Sequence, residues 1–214
     1  MNERLCQQID FLTILDREKQ IKRKTRLTDG SRYENDAEHA WHLAVSALIL
    51  AEYANNDIDV FKTVTMLLFH DVVEIEAGDT YAYDTEGQKT QAERERKAAD
   101  HLYSMLPDDQ AQHFRELWDE FDHGNTPEAR FARALDRFQP TMQNAAQDGN
   151  DWKARGVRLC PMLARNKETG KGSQILWDLS LNEWILPNVQ AGNIIDDRVS
   201  NDDSFDCSST HDKK

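Results

Sequence analysis

Apolar residues recur at steps of three and four along most of this chain, and no run shows the strict alternation of a half-buried strand. That periodicity predicts an all-α fold. Leu5, Ile9, Leu12 and Leu15 share one face of a first helix ending near Ile21. Lys22 to Asn35 breaks the pattern, with basic residues ahead of an Asp29-Gly30-Ser31 turn signal, and reads as a basic loop. Asp36 is placed to cap a second helix running to about Asn55, with Trp41, Ala44, Leu48 and Ala51 as its apolar stripe. Asp57 or Asp59 caps a third, in which Phe61, Val64, Leu67 and Leu68 lead up to His70 and Gly78 closes the segment. Gln88 to Met105 reads as a charged surface helix with Ala92, Ala99 and Leu102 inward, and Pro107 opens the next one, which carries Phe114, Leu117, Trp118 and Phe121. Thr126 caps a further helix with Pro127 in its first turn and Phe131, Leu135, Asp136 and Phe138 along it, and Pro140 is expected to kink or end it. Val157 to Arg165 and Ile175 to Ile185 carry weaker helical patterns.

A length of 214 residues suits one domain. The expectation is a helical bundle of six to nine helices over residues 1–190, then an acidic, disordered tail over 191–214, rich in Ser, Asp and Asn. Twenty-six basic residues against 39 acidic ones leave a net charge of −13, whose field repels phosphate backbones and anionic lipid. Nucleic-acid polymers and membranes are therefore poor partners, although a metal or a few local arginines can reverse the sign inside a pocket. The start of the sequence has acidic and polar residues where a secretory signal needs a basic then apolar stretch. Leu43 to Ala51, the longest near-apolar run, falls well short of the ~20 residues of a membrane helix. Cys6, Cys160 and Cys207 are odd in number and lack a CxxC spacing, which suggests neither a disulfide framework nor a thiolate zinc site. A reducing cytoplasm is the expected compartment.

His70-Asp71 closes the apolar run Met66-Leu67-Leu68-Phe69. A charge beside a core-forming stripe is costly unless it is paired or bound to metal. His39 lies on a second apolar helix and Asp136 on a third. Two histidines and two carboxylates from three helices make a mixed N/O set that suits a divalent first-row metal. Taken singly, each has an ordinary reading as well: a buried histidine hydrogen-bonded to a neighbour, or an aspartate paired with Arg133 or Arg137.

The order His39, then His70-Asp71, then Asp136 resembles the H…HD…D signature of the HD-domain metal-dependent phosphohydrolases. The blocks Arg32-Tyr33-Glu34-Asn35-Asp36-Ala37-Glu38-His39-Ala40-Trp41, His70-Asp71-Val72-Val73-Glu74-Ile75-Glu76-Ala77-Gly78-Asp79 and Thr126-Pro127-Glu128-Ala129-Arg130 with Ala134-Leu135-Asp136 are similar to its 5'-deoxynucleotidase-like branch. The resemblance extends over about residues 5–190. It implies His39, His70, Asp71 and Asp136 as ligands of one divalent metal, Mn, Co, Fe or Ni before Mg or Zn. It implies Glu74 and Asp79 as the catalytic acids, and Arg23 and Arg32 as contacts to the substrate's phosphate. Lys24 stands where the best-studied type carries an aromatic residue near the sugar, so a preference for deoxyribose does not carry over.

The implied activity is hydrolysis of a phosphomonoester, a nucleoside 5'-monophosphate (deoxynucleotides included) or a similar small phosphate, by water activated at the metal. A second reading keeps the metal but makes the protein a phosphodiesterase or two-metal oxygenase, with His101 or His123 as extra ligands. A third is a metal-stabilised helical scaffold or regulator, against which Glu74 and Asp79 argue, since a structural site needs neither. His42 reads as packing or surface. The resemblance also implies a homodimer, with the tryptophans of the C-terminal helices as its apolar patch.

Overall fold

The computed structural model describes residues 2–198 and Cys207. Helices dominate it: α1 (Glu3–Leu15), α2 (Asp36–Leu50), α3 (Val60–Phe69), α4 (Glu74–Ala77), α5 (Thr85–Ser104), α6 (Asp108–His123), α7 (Pro127–Ala146), α8 (Asn150–Ala154), α9 (Leu159–Asn166), α10 (Thr169–Gly172), α11 (Gln174–Leu179) and α12 (Leu186–Gln190). The fold is all-α apart from one antiparallel hairpin, β1 (Lys22–Arg26) with β2 (Tyr33–Asn35), in which Lys22 faces Asn35 and Arg26 faces Tyr33. The hairpin replaces the expected basic loop. β1 does alternate, with Lys22 and Lys24 exposed and Arg23 turned inward, but all three are cationic, so the alternation is one of burial and not of hydrophobicity.

The caps follow local chemistry. Asp59 accepts from the Lys62 N–H at the start of α3, and Thr126 accepts from the Ala129 N–H at the start of α7, where Pro127 lacks an N–H that the first turn does not use. The cap of α2 is Asn35 and not Asp36. Asn35 accepts from the Glu38 N–H at 2.9 Å while the Glu38 carboxylate accepts from the Asn35 N–H at 3.2 Å, a reciprocal capping box. Asp36 is thereby released into the interior.

The long helix α7 runs through the middle of the molecule. Phe131, Leu135 and Phe138 from α7 pack with Leu43 and Ala47 of α2, Met66 and Leu67 of α3, Leu117 of α6 and Leu176 of α11. Each such side chain contributes roughly 1.5 to 3 kcal/mol on full burial. Pro140 does not end α7. Its ring removes the bond that would return to the Asp136 carbonyl, but buried Phe138, Gln139, Thr141 and Gln143 anchor the helix on both sides of it. A second cluster joins Phe11, Val72, Val73, Ala99, Leu102 and Trp118, and a third joins Trp152, Leu159, Met162, Ile185 and Ile194.

Parts of three apolar stripes read from the sequence face outward, although Ala44 of the α2 stripe and Leu67 of the α3 stripe are buried as expected. Leu5, Ile9 and Leu12 on α1 are more than half exposed, as are Trp41 and Leu48 on α2 and Phe61 on α3. The buried face of α2 carries His39, Ala40, Leu43, Ala44 and Ala47. Small residues let α2 approach α3 and α7 closely, so shape and not hydrophobic mass selects the inner face. Ala92 is exposed as well, and Ala98 joins Ala99 in the core. Trp177 and Trp184, whose positions fit either core or interface, are half-buried and pack against the core, the latter 5.1 Å from Phe138.

Ile194 is buried and the Ile195 N–H donates to the Val157 carbonyl at 2.9 Å, so part of the segment assigned to the tail is packed. Residues 199–206 and 208–214, the rest of that expectation, lie outside the described residues. Cys160 on α9 is disulfide-bonded to Cys207, a correction to the expectation of free thiols. The partners are 47 residues apart, and only the tertiary path of the chain brings them together. No described helix is long and apolar enough to cross a membrane.

Candidate metal centre and its cavity

His39, His70, Asp71 and Asp136 converge from α2, the end of α3 and α7. His39 Nε2 lies 3.2 Å from Asp136 Oδ1 and 3.9 Å from Asp71 Oδ2, and His70 Nε2 lies 3.0 Å from Asp71 Oδ2 and 3.9 Å from Asp136 Oδ1. Both rings are locked from behind. His39 Nδ1 is 3.0 Å from Gln139 Oε1, and His70 Nδ1 is 2.9 Å from the Leu67 carbonyl. Each Nδ1 therefore donates outward, which turns both Nε2 atoms toward the carboxylates.

Gln139 is the hub behind His39, and the sequence reading passed over it. Its Nε2 donates to Glu34 Oε1 at 2.7 Å and lies 3.1 Å from His42 Nδ1, while Gln143 Nε2 also donates to Glu34 Oε1 at 2.8 Å. Glu34, Gln139 and Gln143 are all buried. His42 is accounted for by this network and reaches no carboxylate. A buried glutamine one helical turn after Asp136 is a signal in the sequence, since amides are seldom placed in a core without a partner.

The electrostatics fit a cation at the convergence. Burial opposes a charge on His70, yet the Asp71 carboxylate outweighs it and the imidazole is pushed up to about 9. Asp136 is also opposed by burial, but the hydrogen bond from His39 and the charge of His70 hold it well below the usual carboxylate range. Asp71 is held low in the same way, by His70 and Arg23. His70 Nε2 is buried, and among the described residues its contact with Asp71 Oδ2 at 3.0 Å is an ion pair without hydrogen-bond geometry. Two imidazole nitrogens and two carboxylates gathered in this way fit a divalent first-row metal.

Glu74 and Asp79 follow on the same wall. The helical turn expected to join His70 to Glu74 is interrupted: α3 ends at Phe69, His70 is its C-cap, and the Glu74 N–H closes a turn on the Asp71 carbonyl at 2.8 Å before α4 begins. The turn still delivers His70, Asp71 and Glu74 to one cavity of about 210 Å³, which Asp79 also lines. Gly78, at φ +75°, makes the bend into Asp79, a conformation that side chains with a Cβ resist. Arg94 holds this segment by bonding to the Ala77 carbonyl and to Thr80 Oγ1. Burial, then the charge of Asp71, pushes Glu74 well above the usual carboxylate range against the pull of Arg23. Asp79 is raised too, by burial first. Asp36, read from the sequence as a helix cap, and Glu18, a buried acid the sequence reading did not single out, are each pushed up to about 7 by burial and then by Asp71.

The two candidate phosphate arginines part company. Arg23, on the inward side of β1, is 2.6 Å from Asp71 Oδ2 and 3.4 Å from Asp36 Oδ1, and it lines the cavity. Arg32 lines neither this cavity nor its neighbour. It is paired with Glu38 Oε1 at 2.6 Å on the exposed face, where it supports the α2 capping box. Sequence proximity to His39 is satisfied by that structural role. His101 is exposed and bonded to Glu76 at 2.8 Å, and His123 is bonded to the Asp119 carbonyl at the end of α6. Neither joins the convergence. Arg133 and Arg137, weighed in the sequence only as partners for an aspartate, and Arg165, not read there as a site residue, line the cavity instead.

Comparison with known proteins agrees with this geometry. The family model described as an HD domain matches residues 15–177. The 5'-deoxynucleotidase HDDC2 of Bos taurus is 28% identical over 153 residues, 71% of this chain and 72% of that protein. That of Homo sapiens is 25% identical over 152 residues with the same coverage. For the Xenopus laevis protein the match is 27% over 110 residues and spans 53% of its length. Among solved structures, a predicted metal-dependent phosphohydrolase from Magnetospirillum magnetotacticum MS-1 superposes with a TM-score of 0.85 at 42% identity, covering 90% of this chain and 96% of the other. With the match running from the end of α1 into α11, and so through every helix that contributes to the convergence, the chain belongs to the HD domain family.

Proposed function

We propose that this protein is a metal-dependent phosphomonoester hydrolase acting on nucleoside 5'-monophosphates, deoxynucleotides among them, or on similar small phosphates. The carrying observation is the convergence of His39, His70, Asp71 and Asp136 beside a cavity that the last three line together with Glu74 and Asp79. The names of the HDDC2 relatives and of the structural neighbour support the reaction class.

His39, His70, Asp71 and Asp136 would hold one divalent ion, with Mn, Co, Fe or Ni favoured by the N/O set. The ion would polarise a phosphoryl oxygen and lower the pKa of water. The protein's own groups do the rest. Gln139 and the Leu67 carbonyl orient the two imidazoles. Glu74 and Asp79 hold a proton more tightly than exposed carboxyls do, which equips this pair to move the protons of water and leaving group. Arg23 supplies positive charge beside them.

The half-buried tryptophans of the C-terminal helices offer little to the expected homodimer, which the exposed apolar residues Ile9, Leu12, Trp41, Leu48 and Phe61 of α1, α2 and α3 support instead. The proposed compartment is the cytoplasm, a reading that the sequence supports and the Cys160–Cys207 disulfide opposes. The functional test is orthophosphate release by protein reconstituted with Mn, Co, Fe or Ni, assayed on nucleoside 5'-monophosphates, other monoesters and diesters. Release from monoesters is expected. No release from any of them, or release from diesters alone, refutes the proposal.

A further inference from the structure

The cavity beside the candidate metal residues has a wall that the reaction scheme leaves unused. Arg133 and Arg137 on α7 and Arg165 on α9 line it. Among the described residues none of the three forms an ion pair with a carboxylate. Arg133 Nη1 donates to the Phe121 and Asp122 carbonyls at 3.0 and 2.6 Å, and Arg137 Nη1 to the Arg133 carbonyl at 2.7 Å. Arg165 has one side-chain hydrogen bond, to Asn166 Oδ1 at 3.4 Å. Arg137 Nε is buried without a partner. Acids outnumber basic residues 39 to 26 in this chain, so carboxylate partners are not scarce. Three guanidiniums on one wall repel one another, more strongly where water is excluded, and an anion between them removes that cost.

Arg165 is the best placed of the three. A smaller adjoining cavity of about 90 Å³ has Tyr81, Tyr83, Trp152 and Asn144 in its walls. The two cavities share Arg23, Asp79, Thr80 and Arg165, which mark the neck between them. Of the two arginines there, Arg23 is committed to Asp71 at 2.6 Å, whereas Arg165 makes no ion pair with a carboxylate among the described residues.

We infer that Arg165 at this neck, with Arg137 on the wall of the larger cavity, grips the substrate's phosphate, holding it toward the metal residues and turning the organic part into the aromatic cavity. The inference takes the identity of the anion from the phosphomonoesterase reading. The planar guanidinium fork matches two phosphate oxygens at once, which an ammonium cannot do. Arg165 is thus a substrate-binding residue contributed by α9, on a different element from the arginines next to His39.

The test uses inorganic phosphate as the probe, titrated calorimetrically into the Mn-loaded protein, with wild type, R165Q and R165K compared. K97Q serves as a charge-matched control, since Lys97 is exposed and paired only with Glu93. Removal of one charge-assisted contact should weaken binding by about 10- to 100-fold in R165Q, with R165K between it and wild type and K97Q unchanged. Circular dichroism and the melting temperature check that R165Q is folded, and the small role of Arg165 in the native hydrogen bonding predicts that it is. Phosphate binding within twofold of wild type in R165Q, or no phosphate binding by wild type, overturns the inference. If phosphate binds and R165Q loses it while no monoester is hydrolysed, the anion site stands and the hydrolase reading falls. If monoesters are hydrolysed with KM unchanged in R165Q, the hydrolase reading stands and the role of Arg165 falls.

Discussion

Replacing Gln139 by leucine tests whether the site is held from behind. The side chain is 1% exposed, bonds Glu34 Oε1 at 2.7 Å, and accepts from His39 Nδ1 at 3.0 Å. Leucine is of similar size and keeps the packing, so the loss is one of hydrogen bonding. The bond to the Glu34 carboxylate contributes about 1.5 to 3 kcal/mol, and an unsatisfied buried N–H on His39 costs about 1 to 3 kcal/mol more. Glu34 keeps its bond from Gln143 Nε2 at 2.8 Å, which limits the damage. The expected destabilisation is roughly 3 to 5 kcal/mol, or a fall in Tm of about 6 to 20 °C for a chain of this size. Urea unfolding should show a lower midpoint at unchanged slope. Metal affinity should fall by about 10- to 100-fold, because the imidazole no longer has a fixed tautomer and orientation. A Gln139→Leu protein that loses less than about 1 kcal/mol and binds metal as wild type does would show that His39 is positioned by its helix alone.

Other perturbations separate the roles of individual residues. His70→Ala and Asp136→Ala should each lose metal, measured by elemental analysis, whereas Glu74→Gln should retain it and lower turnover by about 10² to 10⁴. If Glu74→Gln loses metal as readily, the acid is a ligand and its assigned proton-transfer role is wrong. Glu18 ionises near 4.5 when unfolded but near 7 in the buried site, so between those values the native state keeps a proton that the unfolded chain has released, and stability falls as pH rises. In the metal-free protein Glu18→Gln should remove up to about 3 kcal/mol of that slope and melt higher than wild type at pH 8, but not at pH 4; parallel pH profiles would refute this. Gly78→Ala forces a Cβ into φ +75° and should cost about 1 to 2 kcal/mol by chemical denaturation while reducing activity by displacing Asp79. Unchanged stability would show that the turn relaxes freely.

Much of the candidate site is legible in the sequence because its chemistry is written in short blocks. His70-Asp71 ends an apolar run, and Glu74 and Asp79 follow within one turn and a glycine bend, so local geometry alone keeps them on one wall. Helix starts at Asp59 and Thr126 are legible for the same reason, since a cap is a contact between near neighbours. What depends on distant partners is not. β1 hid its alternation because each of Lys22, Arg23 and Lys24 is cationic, and only packing against Asp71 and Asp36 turns Arg23 inward. Large members of the apolar stripes of α1, α2 and α3, such as Leu12, Trp41 and Phe61, stayed outside, while Ala44 and Leu67 of the same stripes went in. Gln139 and Arg165 lie 100 and 126 residues from His39 in the chain, and a disulfide joins cysteines 47 apart. Periodicity, caps and motif blocks are set by neighbours in sequence. Which face is buried, which arginine meets the cavity and which amide holds the histidine are set by shape complementarity between segments that meet only once the chain has folded.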